Sequence, residues 1–395
     1  MNAVPLSLHA PGALAGALRA RGVEAGDADT AAVGAMPLAV RFTGLEQITL
    51  EALVRHAGKL GIDLATGDDW AVLSGSRARL STLAQPFRVP AELAELALAL
   101  ATAMPLEPAA AWETARGPIA LDRPLIVGIL NATPDSFSDG GALTSLDAAL
   151  RLADRLVQEG ARMLDVGGES TRPGRTDVVT EDEELRRVLP VIERITSEFP
   201  GVFVAVDTLK ARVAAAAVEA GAAVVNDVSG LRLDADMAGV VASTGAGLVL
   251  MHSRGSHLEL ASYAHARYDE GVVDEVLGEL RAGLDLASAA GVAPGAVAVD
   301  PGLGFGKTTA QSLALLDQLQ AFLSLGRPVY LGPSRKRFLG DATGLPLAER
   351  DAVTAVACAL GWERGARIFR VHDVKQARDA LALATALDPA SPPAA

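Results

Sequence analysis

Residues 203–230 read FVAVDTLKARVAAAAVEAGAAVVNDVSG and contain one complete strand–helix–strand unit. Two short β-branched runs flank an Ala-rich stretch of helical period, and each run ends in polar residues. The same pattern recurs between Pro124 and Leu387. The runs are PLIVGILN, ARMLDVGGESTRPG, FVAVDT, AVVNDVSG, GLVLMHSRG, VAVDPGLGFGK, PVYLGPSRKR and RIFRVHD. Eight βα units in about 260 residues predict a (β/α)8 TIM barrel, a fold that typically takes about 250 residues.

The barrel prediction has a direct consequence for the polar residues that end the runs. In such barrels the carboxyl ends of all strands surround one opening, and the βα loops there build the active site. Six polar residues from different runs are therefore expected to meet: Asn131, Asp207, Asn226, Asp300, Lys336 and His372.

The residues before the barrel carry a separate pattern. LAVRF and WAVLSG have strand character, while LEQITLEALVRHAGKLG, SRARLSTLA and AELAELALALATAM have helical character. We predict a small α/β accessory domain with a Pro- and Ala-rich linker in residues 1–117. The barrel is expected in 118–387, followed by a disordered tail in 388–395.

Composition excludes several classes of protein. The 395 residues are 50% hydrophobic, which allows a large core, and the net charge of -13 argues against sequence-independent nucleic-acid binding. The one cysteine, Cys358, excludes a disulfide framework and a cysteine-built metal site. No apolar run approaches the roughly 20 residues that span a bilayer. We expect a soluble, cytoplasmic protein that binds neither nucleic acid nor membranes.

Three strand ends predict the recognition of a flat ring. Asp207, Asn226 and Asp300 follow the apolar runs VAV, VV and VAV, where an unpaired polar side chain would be costly. Two carboxylates and a carboxamide in one pocket suit the N–H and C=O edge of a heterocycle such as a pterin or guanine. The alternative is that each residue merely caps the following helix.

The loops after the second, seventh and eighth runs carry cationic side chains, which predict an anion-binding site. Thr171 and Arg172 lie in a glycine-containing loop after the second run, and Arg370 and His372 end the eighth. Arginine offers a fork of donors to phosphate oxygens, although a lone arginine is more often a solvated surface residue. SRKR, with Lys336, is read as functional rather than as a basic surface patch. Beside a phosphorylated substrate, Asn131 could hold Mg²⁺.

Two further motifs have plainer interpretations. DPGLGFGKT does not fit the phosphate-loop pattern, because Pro301 stands where that pattern requires glycine. His252 and His265 have no second ligand at metal spacing and are expected to be structural.

Eight motifs together resemble one family. LNATPDSFSDGG, LDVGGESTRPG, VDTLK, NDVSG, LMHSRG, DPGLGFGK, GPSRKRFLG and RVHDV, from about Leu125 to Val374, resemble dihydropteroate synthase. The resemblance implies a transferase of an alkyl group. It implies condensation of 6-hydroxymethyl-7,8-dihydropterin diphosphate with p-aminobenzoate to give 7,8-dihydropteroate and pyrophosphate, a step of folate synthesis and a sulfonamide target. It also implies Mg²⁺ as cofactor and a homodimer.

The resemblance also assigns roles to matching residues. The pterin would be held by Asp207, Asn226, Met251, Asp300, Gly332 and Lys336. The diphosphate would be held by Asn131, Thr171, Arg370 and His372, with Asn131 also binding the metal. The p-aminobenzoate pocket would comprise Phe137, Arg172, Pro173, Phe305 and Ser334. Catalysis is expected to depend on Asp207, Asp300, Lys336, Arg370 and His372.

Two alternatives share the pterin pocket. A methyltransferase-type pterin-binding barrel would not need SRKR or FSDGG. A non-catalytic pterin-binding paralogue should have lost anion-binding or loop residues, whereas this chain retains Asn131, Thr171, Arg172, Arg370 and His372.

Overall fold

The computed structural model describes residues 18–19, 23–104, 106, 108–132, 145–169 and 178–387. The chain divides into two compact units, one in the residues up to 105 and the other in residues 106–385. The helices of the described segments include none that is both long enough and apolar enough to cross a bilayer.

The first unit is a small α/β fold. Its strands are β1 Pro37–Phe42, β2 Asp63–Thr66 and β3 Ala71–Ser76, and its helices are α1 Ala25–Ala35, α2 Gln47–Ala57, α3 Arg77–Leu83 and α4 Ala94–Ala103. The strands form an antiparallel sheet in the order β1-β3-β2. Leu53, Leu73 and Leu80 are fully buried in its core. Neither β2 nor α1 was predicted from the sequence.

The second unit contains eight parallel strands. They are β6 Leu125–Asn131, β7 Met163–Gly167, β8 Phe203–Asp207, β9 Val224–Asp227, β10 Gly247–Met251, β11 Val297–Asp300, β12 Val329–Leu331 and β13 Ala366–Val371. They close into a barrel in the order β10-β11-β12-β13-β6-β7-β8-β9. The predicted (β/α)8 barrel is confirmed.

Helices surround the barrel. They are α5 Ser145–Glu159, α6 Glu181–Glu198, α7 Ala211–Glu219, α8 Met237–Thr244, α9 Val272–Ala289, α10 Thr309–Asp317, α11 Arg337–Thr343, α12 Asp351–Glu363 and α13 Val374–Ala386. The outer layer of the core lies between these helices and the strands. α10 begins with a complete capping box, in which Thr308 and Gln311 satisfy each other's backbone N–H groups.

Alternation along the strands decides which side chains enter the barrel. Met163, Ala205 and Val224 belong to the inner cluster, so the residues two positions later on the same strands point inward as well. Those later residues are Asp165, Asp207 and Asn226. The carboxyl half of the barrel interior is therefore polar, while the amino half is apolar.

A hairpin closes the amino-terminal end of the barrel. Its strands are β4 Ala111–Trp112 and β5 Ile119–Ala120. Trp112 is fully buried in the inner cluster, and its indole N–H donates to the Ala296 carbonyl at 2.8 Å. The segment read as a linker thus contributes a plug to the barrel, because a buried indole has both an apolar contact and a hydrogen-bond partner there.

Candidate active site

Four of the barrel strands bring their ends into one row. In the strand register Asn131 lies beside Gly167, Gly167 beside Asp207, and Asp207 beside Asn226. On the other side of the barrel Met251 is paired with Asp300. Residues separated by up to 169 positions in the sequence therefore line the same opening.

Arg370 lies at the centre of this opening. It enters from β13, where Ile368, two positions earlier, belongs to the inner cluster. Its Nη2 donates to Asp207 Oδ2 at 2.8 Å, and its Nε donates to Asp165 Oδ2. Asn226 Nδ2 donates to the same Asp165 oxygen at 3.0 Å. One buried carboxylate thus holds both an arginine and an amide in place.

The charged groups of this network shift one another's pKa values. Burial alone would lower the pKa of Arg370, but Asp165 and Asp207 outweigh burial and raise it, so the guanidinium is permanently charged. Burial raises the pKa of Asp207, and Arg370 opposes that rise. Within the described residues, Asp165 Oδ1 and the Tyr330 hydroxyl are buried without a hydrogen-bond partner.

A second charged group lies on the β11 and β12 side. Asp300 is 3% exposed, and its Oδ1 accepts the Gly302 N–H at 2.7 Å. Gly332 leaves room beside it: a Cβ at that position would lie 3.9 Å from Asp300 Oδ2, Lys336 Nζ and Arg370 Cβ alike. These three side chains therefore surround Gly332.

Asp300 and Lys336 each oppose the effect of burial on the other. Burial raises the pKa of Asp300, against the charge of Lys336. Burial lowers the pKa of Lys336 to about 8, against the charge of Asp300. A carboxylate and an ammonium with shifted pKa values in one cleft are typical of a functional site.

Apolar and small polar groups complete the described opening. The ring of Phe305 lies beneath Lys336, with Nζ 4.5 Å from the ring centroid, and it packs on a small cluster that includes Met251. Ser334 Oγ and His372 Nδ1 are hydrogen-bonded at 2.9 Å, and Ser334 Oγ also accepts the His372 backbone N–H at 3.1 Å. The loops after β12 and β13 are thereby joined.

The structure thus brings together eleven of the predicted site residues: Asn131, Asp207, Asn226, Met251, Asp300, Phe305, Gly332, Ser334, Lys336, Arg370 and His372. The predicted residues Phe137, Thr171, Arg172 and Pro173 lie outside the described residues.

Asp165 was missed by the sequence analysis. It stands in the middle of a buried strand rather than at its end, and its side chain is fully buried. The signal was a charged residue at an inward-facing position of MLDVG, two residues before Gly167. Such a carboxylate requires a buried partner, here Arg370.

Comparisons with known proteins agree with this geometry. The model of the pterin binding enzyme family matches residues 127–372. The dihydropteroate synthase of Bacillus subtilis (strain 168) is 46% identical over 255 residues, which are 65% of this chain and 85% of the relative. That of Mycobacterium leprae (strain TN) is 46% identical over 264 residues, 65% of this chain and 90% of the relative.

Solved structures give the same result. Xanthomonas albilineans dihydropteroate synthase with 4-aminobenzoic acid superposes with a TM-score of 0.65 at 43% identity, covering 70% of this chain and 98% of that chain. The same organism's enzyme in complex with 7,8-dihydropteroate gives 0.62 at 42% identity, covering 68% and 95%.

These matches favour a synthase over the methyltransferase-type barrel. The family model covers the strands that carry the polar opening, and the relatives match over most of their own length. The chain therefore belongs to the pterin-binding enzyme family and, within it, to the dihydropteroate synthases, which are transferases.

Proposed function

We propose that the opening around Arg370 binds the two substrates of this family and that the residues assigned above carry the reaction. The chain is an enzyme that condenses 6-hydroxymethyl-7,8-dihydropterin diphosphate with p-aminobenzoate, giving 7,8-dihydropteroate and pyrophosphate. The bond from the pterin methylene carbon to the diphosphate oxygen breaks, and its electron pair leaves with the oxygen. The aniline nitrogen then forms the new bond to carbon and loses a proton.

The pterin would lie between the β8–β9 side and the β11–β12 side of the opening. Asp207 and Asn226 on one side, and Asp300 on the other, offer acceptors and a donor to the ring edge. Met251 and Gly332 would pack against the ring, and Lys336 would donate to a ring acceptor. Fixed carboxylates in a buried site stabilise positive charge on the ring without reorganisation.

The leaving diphosphate would be held at the ends of β6 and β13. Arg370 and His372 supply donors there, together with Thr171, which lies outside the described residues. Mg²⁺ usually takes only one or two protein ligands besides substrate phosphates and water. The part-buried amide of Asn131 fits that requirement. The described residues contain no cluster of three or more His, Cys, Asp or Glu that could hold a metal. When bound, Mg²⁺ would neutralise charge on the departing group.

The second substrate would enter beside Phe305 and Ser334. An aniline nitrogen is a weak base and reacts as the free amine, so this chain mainly has to orient it and exclude water from the activated carbon. The remaining predicted residues of this pocket are Phe137, Arg172 and Pro173.

One observation supports these assignments most strongly: Arg370 donates to the carboxylates of Asp165 and Asp207 at the opening that also contains Asp300 and Lys336. The test is to mix the purified full chain with the dihydropterin diphosphate, p-aminobenzoate and Mg²⁺. We expect dihydropteroate and pyrophosphate in equal amounts. Asp300→Ala and Arg370→Ala should each reduce the rate by about 10²-fold or more.

Matched controls separate the site from general damage to the protein. Lys59→Met, an exposed change in the first unit, should leave the rate unchanged. Near-normal turnover in Asp300→Ala or Arg370→Ala would contradict the residue assignments. Pterin binding without product from the unaltered chain would favour the non-catalytic paralogue.

Assembly and location extend the proposal. We infer a homodimer from the family resemblance, and light scattering of the full chain at micromolar concentration would give twice the monomer mass. A cytoplasmic location is likewise inferred, and cell fractionation would test it. The accessory domain predicted in residues 1–117 is proposed to correspond to the first unit, up to residue 105, because the hairpin at residues 111–120 belongs to the barrel unit.

A further inference from the structure

We propose that Lys307 is a positioning residue for the amine substrate, because it fixes the loop after β11 and with it the ring of Phe305. This inference rests on the proposed function, in which Phe305 lines the p-aminobenzoate pocket. Lys307 belongs to DPGLGFGK, a motif whose lysine none of the roles assigned above uses.

Lys307 has an unusual environment for a lysine. It is 1% exposed, although lysine is almost never fully buried unless it is paired. Its Nζ lies 2.8 Å from the Phe305 carbonyl oxygen, 2.8 Å from His252 Nδ1 and 3.3 Å from the His252 carbonyl oxygen. Three neighbours therefore match the three protons of an ammonium group.

The tautomer of His252 determines the direction of these bonds. His252 Nε2 lies 3.0 Å from Glu279 Oε2. Burial lowers the pKa of His252 to about 4, and Lys307 adds to the effect. Burial would raise the pKa of Glu279, but His252 and Arg254 lower it to about 2. A neutral imidazole that donates to a carboxylate through Nε2 must accept at Nδ1.

All three neighbours of Lys307 are therefore acceptors, and a neutral amine would direct its lone pair at one of them. Burial lowers the pKa of Lys307, and the nearby charge of Asp300 opposes that change. The arrangement of acceptors requires the protonated form. A line of hydrogen bonds then runs from Glu279 on α9, through His252 after β10, to the backbone of Phe305.

The glycines of the same loop make this approach possible. Gly302 has φ +68°, and a Cβ there would lie 1.9 Å from the His252 carbonyl oxygen and 3.3 Å from Lys307 Nζ. Gly304 has φ +77°, and its Cβ would lie 3.3 Å from Lys336 Cδ. The loop therefore approaches Lys307 closely at Gly302 and contacts Lys336 at Gly304.

Phe305 connects this buried group to the substrates. Its carbonyl accepts from Lys307, and its ring lies 4.5 Å from Lys336 Nζ. Loss of the Lys307 ammonium would remove its hydrogen bonds to the Phe305 and His252 carbonyls. The Phe305 ring would then lose its fixed position. Lys336 would keep Asp300 as its charge partner and lowers the pKa of that carboxyl more than Lys307 does, so the pterin side should change less than the amine side.

The test compares Lys307→Met with the unaltered chain and with Lys59→Met, which makes the same change at an exposed position. Initial rates with each substrate varied in turn give both KM values, and fluorescence titration gives the Kd for 6-hydroxymethylpterin. We expect the KM for p-aminobenzoate to rise about tenfold and kcat to fall, since small misplacements of a reactant reduce rates strongly. The pterin Kd should stay within about twofold.

Two results would overturn the inference: KM values for both substrates that rise in the same proportion, or no change in either. If Lys307→Met does not fold by circular dichroism, Glu279→Ala replaces it, since it releases the His252 tautomer and leaves the hydrogen-bonded neighbours of Lys307 in place, while Arg254 keeps Glu275 as its ion-pair partner. The KM for p-aminobenzoate should then rise about two- to threefold relative to the KM for the pterin diphosphate. The absence of that difference would equally refute the role. Activity of the unaltered chain tests the proposed function separately, because the inference depends only on ratios between variant and parent.

Discussion

Asp165→Asn is the sharpest test of how the site is built, because one oxygen of this carboxylate accepts from both Arg370 and Asn226. The change keeps the shape of the side chain and removes its charge. Arg370 would keep Asp207, and Asn226 would keep a neutral acceptor.

The magnitude follows from the two hydrogen bonds at Asp165 Oδ2. A hydrogen bond to a charged group contributes about 1.5–3 kcal/mol, against about 0.5–1.5 kcal/mol for a neutral one. Weakening two such bonds at a fully buried carboxylate should cost about 2–3 kcal/mol. Since about 1.4 kcal/mol corresponds to a tenfold change in rate, kcat/KM for the pterin diphosphate should fall about 30- to 150-fold if the loss is felt in the transition state.

The assay is pyrophosphate release at saturating p-aminobenzoate with varied pterin diphosphate, alongside urea unfolding of the same preparation. Asp122→Asn is the matched control, because Asp122 is an exposed carboxylate just before β6, at the opposite end of the barrel. A variant with lowered stability but a normal kcat/KM would mean that Asp165 only stabilises the barrel. A variant within twofold of the parent in both measurements would refute the reasoning altogether.

Four further outcomes are expected. Asp300→Asn should lower kcat/KM for the pterin diphosphate by about 10²-fold, as measured by initial rates. The same parameter should rise with pH above the ordinary carboxyl range, because burial raises the pKa of Asp207 and Asp300 and their ionised forms accept more strongly from the ring and stabilise its positive charge. It should fall again above about pH 8, where Lys336 loses its proton, so that a flat profile would count against these roles. Gly302→Ala should destabilise the fold by about 2–4 kcal/mol in urea unfolding, because it combines φ +68° with a carbonyl 1.9 Å away, whereas Gly201→Ala, which meets nothing, should be within about 0.5 kcal/mol. Excess chelator should abolish product formation and added Mg²⁺ should restore it, and undiminished activity in chelator would contradict a metal requirement.

The strand ends were predictable from sequence because two simple rules act together there. Side chains alternate along a strand, and all parallel strands of a barrel end at one opening. Asp207, Asn226 and Asp300 each follow an apolar run, so their convergence could be expected without any knowledge of contacts. The loop after β11 was harder, since its path depends on left-handed glycines and on a buried lysine that bonds His252, 55 residues away, as well as Phe305 in the same loop.

Elements without a strong apolar pattern were not predictable. β2 is exposed along most of its length, and its sequence DLAT has no alternating apolar side chains. α11 begins at Arg337, the last residue of SRKR, and the clearest feature of that segment is its charge rather than an apolar helical period. The role of Asp165 was not predictable for a different reason: it depends on a bond to Arg370, 205 residues later in the chain. Sequence patterns indicate where polar side chains emerge, but not which of them pair.

The pairing of Arg370 with Asp165 and Asp207 also affects how charge is distributed over the site. The described opening contains three carboxylates, the buried Asp165 and Asp300 and the part-buried Asp207, against two cations, Arg370 and Lys336. An excess of negative charge beneath the ring favours the positive charge that develops as the carbon–oxygen bond breaks. The same excess disfavours a diphosphate, which therefore needs cations at its own end. Arg370 would have to donate to the diphosphate while it keeps its bond to Asp207. It can do both if a second carboxylate, Asp165, accepts from its Nε and fixes the guanidinium. On the proposed assignment, Asp165 would hold Arg370 for the leaving group, and Asp207, whose Oδ2 accepts from Arg370, would offer its other oxygen to the pterin.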